Sequence, residues 1–340
     1  MTVSVCVPLY RPRFDWLLEL ADGVAAQGAG AGELVLREEP SDRPLTTAQL
    51  AELREHARAP VRHTVNDHRL GMAANWNATL ADATARYAVL LGQDDALAPG
   101  ALATVMSFAD AHPLLPFVAY GRTLVDDAGA PVTAWRPGSD RAWLYEPGCA
   151  YVLPSDIAIG LTLRTGLALG EPCAVLVRRD AFSAVGGYDP EFGHMADVEL
   201  LLRLLGTAPA CGYVSLELAR RRVHHAALTA ENIVDGVAAR DRRELYRRYA
   251  PTVPSTLPMR SRWRAYVASR ELLAAAKTAR GGRPGRAVVT AGRAAGWGLT
   301  VLPWSWYEVA RELRPGWHGD ADAVRSHVVA RDVRIADGPQ

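Results

Sequence analysis

Apolar and polar positions along the first hundred residues alternate between two periods. Val3-Ser4-Val5-Cys6-Val7 is apolar on both faces, which predicts a short buried parallel strand, stopped by Pro8. Trp16, Leu17, Leu20 and Val24 then recur at helical spacing. Glu33 to Leu36 predicts a second strand, residues 46–58 a helix, and Val61 to Val65 a third strand. Met72 to Ala83 predicts a helix and Tyr87 to Leu91 a fourth strand. Pro99 is expected to open the next helix at its first position, with Leu102, Val105, Met106 and Ala109 on one face. This alternation with short links predicts an α/β sheet covered by helices on both sides.

The rhythm then loosens. Phe117 to Gly121 predicts a strand, and residues 124–132 a hairpin turning at Asp127-Ala128-Gly129. Residues 135–155 show no period and carry Trp135, Trp143 and Tyr145, as a loop closing over a site would. Cys173 to Val177 predicts a strand, and Asp180 to Val185 and Ala196 to Leu205 predict helices. Beyond about Thr229, helical segments separated by Pro251, Pro254, Pro258 and the run Gly281-Gly282-Arg283-Pro284-Gly285 predict an α-helical C-terminal extension, residues 229–340. Residues 1–228 then form the main domain, divided near residue 100.

Composition narrows the class. With 340 residues, 49% hydrophobic, the chain can bury a large core. A net charge of +1 points away from nucleic acid as a partner. Cys6, Cys149, Cys173 and Cys211 are scattered, as in reduced thiols of a cytoplasmic protein. The N-terminal residues lack the pattern of a signal peptide, and no run of about 18 apolar residues predicts a membrane span. Trp297, Trp304, Trp306 and Tyr307 in the tail, with Arg293, Arg311 and Arg314 nearby, fit either of two settings. One is the inner face of a membrane, touched peripherally. The other is packing on the main domain or on a second copy in a homodimer.

Open α/β sheets bind ligands beyond the carboxyl ends of their strands. The residues there are Pro8-Leu9-Tyr10, Glu38-Glu39, Asn66-Asp67 and Asp94-Asp95. Clustered carboxylates repel unless a cation offsets them, and hard oxygen ligands suit Mg²⁺ or Mn²⁺ bridging to phosphate. Taken singly, such acids also cap helices and solvate turns.

The ordered set of motifs resembles the family 2 inverting glycosyltransferases of the GT-A fold. Val3 to Pro12 resembles their first strand with its Pro-x-Tyr turn. Glu33 to Ser41 falls where a strand ending in Asp-Asp-Gly-Ser is usual. Asn66 to Asn77 matches an Asn…Gly-x-x-x-Asn-Trp-Asn segment, and Gln93-Asp94-Asp95 sits at the Asp-x-Asp position. Gly170 to Arg179, followed by Gly186-Gly187-Tyr188-Asp189, resembles the acceptor-side strand and turn. Met195 to Arg203 resembles the Glu-Asp-x-x-Leu-x-x-Arg helix, and Arg222-Val223-His224 the segment closing the catalytic domain. Gly92, Glu38-Glu39 and Ala196 depart from the usual acids at their positions.

The resemblance implies a Rossmann-like mixed sheet flanked by helices. It implies a nucleotide-diphosphate sugar donor and a hydroxyl acceptor on a glycan, a lipid-linked saccharide or a natural product. It makes Asp197 the general base. It places Pro8, Tyr10, Glu39, Asp67, Gly71, Asn75, Gln93 and Asp94 at the nucleotide sugar, and Asp94, Asp95 and His224 at the divalent metal. Inverting transfer needs one acid to take the acceptor proton and others to hold the metal that offsets charge on the leaving diphosphate. A sugar nucleotidyltransferase and a non-catalytic sugar-binding subunit are the alternatives. The first would want a Gly-rich basic loop after the first strand, where Leu9-Tyr10-Arg11-Pro12-Arg13 has no Gly. Three residues also carry ordinary structural readings: Trp76 as core, Gly71 and Asn75 as shapers of a loop-to-helix turn, and Arg203 as partner of Glu199 one turn earlier.

Overall fold

A computed structural model describes residues 2–132, 147–165, 169–223 and 237–249, with residues 272, 275, 288, 291–292 and 333–334 besides. His224, the aromatics of residues 135–145 and the aromatic tail lie outside the described residues.

The N-terminal half is β1 (Val3–Leu9), α1 (Phe14–Ala25), β2 (Ala31–Glu38), α2 (Thr47–Ala57), β3 (Val61–Val65), α3 (Met72–Ala81) and β4 (Tyr87–Leu90). Strands β4, β1, β2 and β3 lie side by side and parallel. Side chains alternate across β1. Val3, Val5, Val7 and Leu9 enter one apolar layer with α1 and α2, and Cys6 enters the other. Cover on both faces is why these strands read as continuous apolar runs. Helix α2 opens with a capping box: Gln49 N–H donates to Thr46 Oγ1 at 3.2 Å, and Thr46 N–H to Gln49 Oε1 at 3.0 Å.

Then follow β5 (Ala96–Leu97), α4 (Ala101–Ala111), β6 (Phe117–Val125), β7 (Cys149–Pro154), α5 (Ser155–Thr165), β8 (Val175–Arg178), α6 (Arg179–Ala184), α7 (Ala196–Thr207), β9 (Ala210–Arg222), α8 (Val237–Tyr249) and β10 (Val333–Arg334). The sheet order is β10-β7-β9-β6-β8-β4-β1-β2-β3, with β5 on β9. Strand β8 runs antiparallel to both β4 and β6, so the sheet is mixed, as expected for the GT-A type.

The structure corrects several local expectations. Pro8 does not end β1: it pairs with Arg37, and the strand runs on to Leu9. Pro99 does not begin α4, because Gly100 at φ 69° is its N-cap. The expected loop 135–155 ends in strand β7, which pairs with β9. Strand β9 itself carries no clear period-2 pattern. It is recognised by partners more than ninety residues away, through parallel pairing with β6 across a bulge. A side chain at Gly121 would sit 2.6 Å from the Leu216 carbonyl oxygen, so glycine makes that bulge possible. The hairpin expected at residues 124–132 is present. Asp126 N–H donates to the Ala130 carbonyl, and the Asp126 carboxylate receives the Ala128 and Ala130 N–H groups.

Candidate active site

The carboxyl ends of β1, β2 and β4 lie on one edge of the sheet and bring three turns together. Past β4 the chain makes a tight turn. Asp95 N–H donates to the Gly92 carbonyl at 3.1 Å, and Gly92 N–H to Asp95 Oδ2 at 3.2 Å. Gln93 reaches across to the turn after β1: Tyr10 N–H donates to Gln93 Oε1 at 2.9 Å, and Gln93 Nε2 donates to the Tyr10 carbonyl at 3.0 Å. Gln93 therefore fixes Tyr10 by its backbone and leaves the ring to meet other groups. Arg69 lies over that ring at 4.2 Å and Arg11 at 5.5 Å. Arg11 holds a left-handed φ of 48°, uncommon for a residue with a side chain, and pairs with Asp42 at 2.6 Å.

Glu39, expected at the nucleotide, is buried and serves the loop. Its carboxylate accepts Leu70 N–H at 2.9 Å and Gly71 N–H at 2.8 Å. Gly71, at φ 84°, then starts α3. Asn75 is buried as well, accepting from Asn66 Nδ2 at 2.8 Å. Asn77 grips the Tyr188 backbone with both ends of its amide, at 2.8 and 2.7 Å. Trp76 packs edge-on against the Tyr188 ring with centroids 5.0 Å apart. The Asn-Trp-Asn segment is thus a joint between the strand ends and the chain leading to α7. Asp67 stands exposed beyond β3, and Pro8 is half-buried inside β1.

Asp94 and Asp95 take different roles. Asp95 is buried, and its Oδ1 accepts Arg222 N–H at 3.1 Å while Oδ2 takes the Gly92 N–H. The Cys173 thiol also donates to it. Burial, then the Asp94 charge, pushes the Asp95 carboxyl up to about 7. Asp95 therefore closes the turn from within, and Asp94 beside it is the more exposed of the two acids. A Cβ on Gly92 would lie 2.7 Å from Asp94 Oδ1 and 2.8 Å from Asp95 Oδ2. Gly92 is thus more than a lost acid, since both carboxylates occupy the space a side chain would need. Gly92→Ala is expected to displace them and lower kcat/KM by ~10-fold or more with little loss of thermal stability. Steady-state kinetics beside a melting curve checks this.

Arg222, buried at the end of β9, secures the same turn from the other side. Its Nε donates to the Asp94 carbonyl at 3.1 Å, and Nη1 to the carbonyls of Asp126 at 2.7 Å and Asp127 at 3.0 Å. Its Nη2 pairs with Glu19, and its guanidinium lies over Trp16. Sequence reasoning missed this hub, although the Arg-x-His spacing pointed at the residue.

Asp197 lies in the first turn of α7, accepting the Val198 N–H at 2.8 Å. With Glu171 it lines a cavity of about 20 Å³ walled by Leu80, Leu90, Val175, Leu200 and Leu204. Burial pushes the Asp197 carboxyl up to about 6; the nearby Glu171 charge raises it further, and the Val198 N–H and the Arg221 charge oppose. Glu171 pairs with buried Arg122 at 2.8 Å and with Arg221 at 3.7 Å. Arg221 also feels the charges of Asp95 and Asp197: burial works to lower its pKa, and these two charges with that of Glu171 raise it. Neither Glu171 nor Arg221 was singled out by the sequence. Arg203 meets expectation, binding Glu199 from the next turn at 2.6 Å, and also holds the carbonyls of Val185 and Gly187.

Among the described residues, no cluster of three or more His, Cys, Asp or Glu side chains could hold a metal ion. Of the residues expected at a metal, Asp95 has both oxygens taken by backbone N–H groups and His224 lies outside the described residues. Asp94 is therefore the carboxylate of the set that a hard cation such as Mg²⁺ or Mn²⁺ would have to use, with water and phosphate completing the shell.

A parallel sheet half with its crevice at β1, β2 and β4, joined to a mixed half with a second acid on the helix beside it, defines a GT-A type glycosyltransferase fold. A sequence profile described as glycosyl transferase family 2 matches residues 4–184, more than half of the chain, and the chain belongs to that family. A protein of Sinorhizobium fredii named uncharacterized protein y4gI is 28% identical over 227 residues. That stretch is 66% of this chain but 21% of the relative, so the chain spans about a fifth of its length. Among solved structures, S. aureus TarS 1–349 in complex with UDP-GlcNAc superposes with a TM-score of 0.53 at 12% identity, covering 86% of this chain and 91% of that one. TarS 1–349 without that ligand gives 0.50 at 14% identity, covering 96% and 90%. At such identities the likeness is one of fold. Among the described residues no helix is long and apolar enough to cross a membrane.

Proposed function

We propose that this chain transfers a sugar, with inversion, from a nucleoside-diphosphate sugar to an acceptor hydroxyl. The observation that carries the reading is Asp197 at the head of α7, lining a cavity with Glu171, its carboxyl held near 6 by burial. A base of that strength is largely ionised at pH 7 yet still attracts a proton. The acceptor oxygen attacks the anomeric carbon while Asp197 takes its proton. The bond from that carbon to the diphosphate oxygen breaks on the opposite face, and the diphosphate leaves with the electron pair. The Tyr10 turn, fixed by Gln93, and the loop fixed by Glu39 receive the nucleotide. Arg221 offsets negative charge at both Asp95 and Asp197. Asp94 would hold a divalent metal, Mg²⁺ or Mn²⁺, which when bound offsets charge on the diphosphate. TarS, a relative in fold, has been crystallised with UDP-GlcNAc, which makes uridine donors the first to test.

The test is a panel of nucleotide sugars with Mg²⁺, Mn²⁺ or chelator, reading thermal shift and release of nucleoside diphosphate. A donor at one hundred times its Kd should stabilise the native state by about 2.7 kcal/mol. Release of nucleoside diphosphate on adding acceptor, lost with Asp94→Asn, is the expected result. Release of pyrophosphate would replace this reading with nucleotidyl transfer.

A further inference from the structure

Helix α7 has an unusual beginning. Its N-cap is Met195, buried and without a side-chain acceptor for the first turn. The N–H groups that lead into the helix, of His194 and of Met195 itself, find their acceptor on α8, 46 to 47 residues further on. Buried Asp241 receives His194 N–H at 2.7 Å and Met195 N–H at 3.2 Å on a single oxygen, while Arg240 holds its other oxygen at 2.8 Å. A carboxylate there both satisfies the backbone donors and complements the helix dipole.

The far end of α8 makes a second tie. The Tyr249 hydroxyl donates to Glu199 Oε1 at 2.9 Å, and Glu199 is buried two residues past Asp197. Arg248 pairs with Asp189 at 2.9 Å and Glu191 at 2.9 Å, on the loop that leads into α7. Arg240 donates to the Glu191 carbonyl at 2.7 Å. Fully buried Leu245 shares an apolar cluster with Met195, Val198 and Leu202. A Cβ on Gly193 would meet the Val237 side chain at 2.7 Å, so the loop backbone packs directly on the first residue of α8. All of α8 lies beyond the boundary near residue 228 that the sequence suggested, and beyond the segment matched by the family.

We propose that α8 is a strap that positions the base: Asp241 caps the base helix from outside, and Tyr249 ties its next turn. Neither residue touches substrate. They act through the placement of Asp197, and the inference rests on Asp197 being the base. Asp197 is in the first turn, where a helix without a cap frays, so loss of the strap moves the carboxyl first. A displacement near 1 Å is enough to cost about 100-fold in rate.

The experiment compares Asp241→Ala, Tyr249→Phe and, as a control on the same helix, Arg247→Ala, whose exposed side chain pairs only with Glu244 among the contacts seen. Expected are a kcat lower by ~10- to 100-fold for Asp241→Ala and ~3- to 10-fold for Tyr249→Phe. Donor KM should stay within about 2-fold, and the control should remain at wild-type values. Amide exchange at residues 194–199 should quicken in both strap variants while that of α3 holds. Tyr249→Phe removes one hydroxyl, so it reports even if Asp241→Ala fails to fold. Unchanged kcat and unchanged exchange at 194–199 in a folded strap variant overturns the strap. Equal losses in kcat and donor affinity with general acceleration of exchange do so too. Exchange does not depend on turnover, so quickened exchange at 194–199 with wild-type kcat keeps the tie and removes Asp197 as base instead.

Discussion

Asp197→Asn is expected to reduce transfer by ~10²–10⁴-fold and, above pH 7, to raise the melting temperature by a few degrees. The first effect is loss of the proton acceptor. The second follows from linkage. Asp197 is raised from its ordinary 3.8 to about 6, chiefly by burial. A carboxyl with a raised folded pKa favours the fold in its neutral form. That contribution is complete below 3.8 and is lost as pH climbs through about 6, so the ionised group costs stability at pH 8. The shift corresponds to at most ~3 kcal/mol, and about 1–2 kcal/mol after allowing for the residue's partial exposure. Asparagine keeps the shape and an acceptor for the Val198 N–H without the charge. The two effects separate in pH: the melting curves of variant and wild type should converge near pH 4 and diverge by pH 8. In the wild type, kcat should rise with pH through about 6 and then level. A variant that kept transfer, or lost stability at pH 8, would remove Asp197 from the base position.

Glu171→Gln should have the largest effect on stability and should also move the pH profile. Glu171 is buried against Arg122, and Arg221 is its second cation. Removing one partner of a buried ion pair costs roughly 3–5 kcal/mol, because the opposite charge stays in a poorly hydrated place. Glutamine retains an acceptor oxygen, so the lower part of that range is expected. The Glu171 charge raises Asp197 while Arg221 lowers it. Without the first, Asp197 becomes more acidic, and the acid limb of the rate profile moves below 6. Urea unfolding gives the stability and a pH series of kcat gives the limb. A loss of stability with the limb unmoved would make Glu171 a purely structural partner.

The positions of these groups along the chain explain what could be read from the sequence. The strands β1 to β4 and their helices were legible because cover on both faces writes itself as apolar runs and 3.6-residue periods. The Tyr10 turn, Asp94 and Asp95 stood out because turn residues and acids follow those runs directly, whereas Asp197 stood out only through the resemblance of residues 195–203 to a family helix. Roles were harder. Gln93, Glu39 and Asn75 were placed near a nucleotide, and in the fold they hold Tyr10, Gly71 and Asn66 in place. Polar residues at strand ends read alike whether they meet a ligand or the backbone of a neighbouring turn. Strand β9 was missed because its pairing with β6 is distant and bulged, so no local period marks it. Helix α8 was placed in an appendage because its partners, residues 189–199, lie far back in the chain.

The sequence by itself determined the family, the parallel half of the sheet and the chemical types at its edge. These depend on local periodicity and on short ordered motifs. Only the tertiary structure decided that Asp95 is buried with both oxygens bound while Asp94 stays half-buried, that Arg122 and Arg221 both pair with Glu171 beside Asp197, and that Asp241 accepts the N–H groups leading into the helix of Asp197. Each of these depends on groups separated by tens of residues. Their charges and hydrogen bonds gain meaning only where folding has removed water and fixed the distance between them.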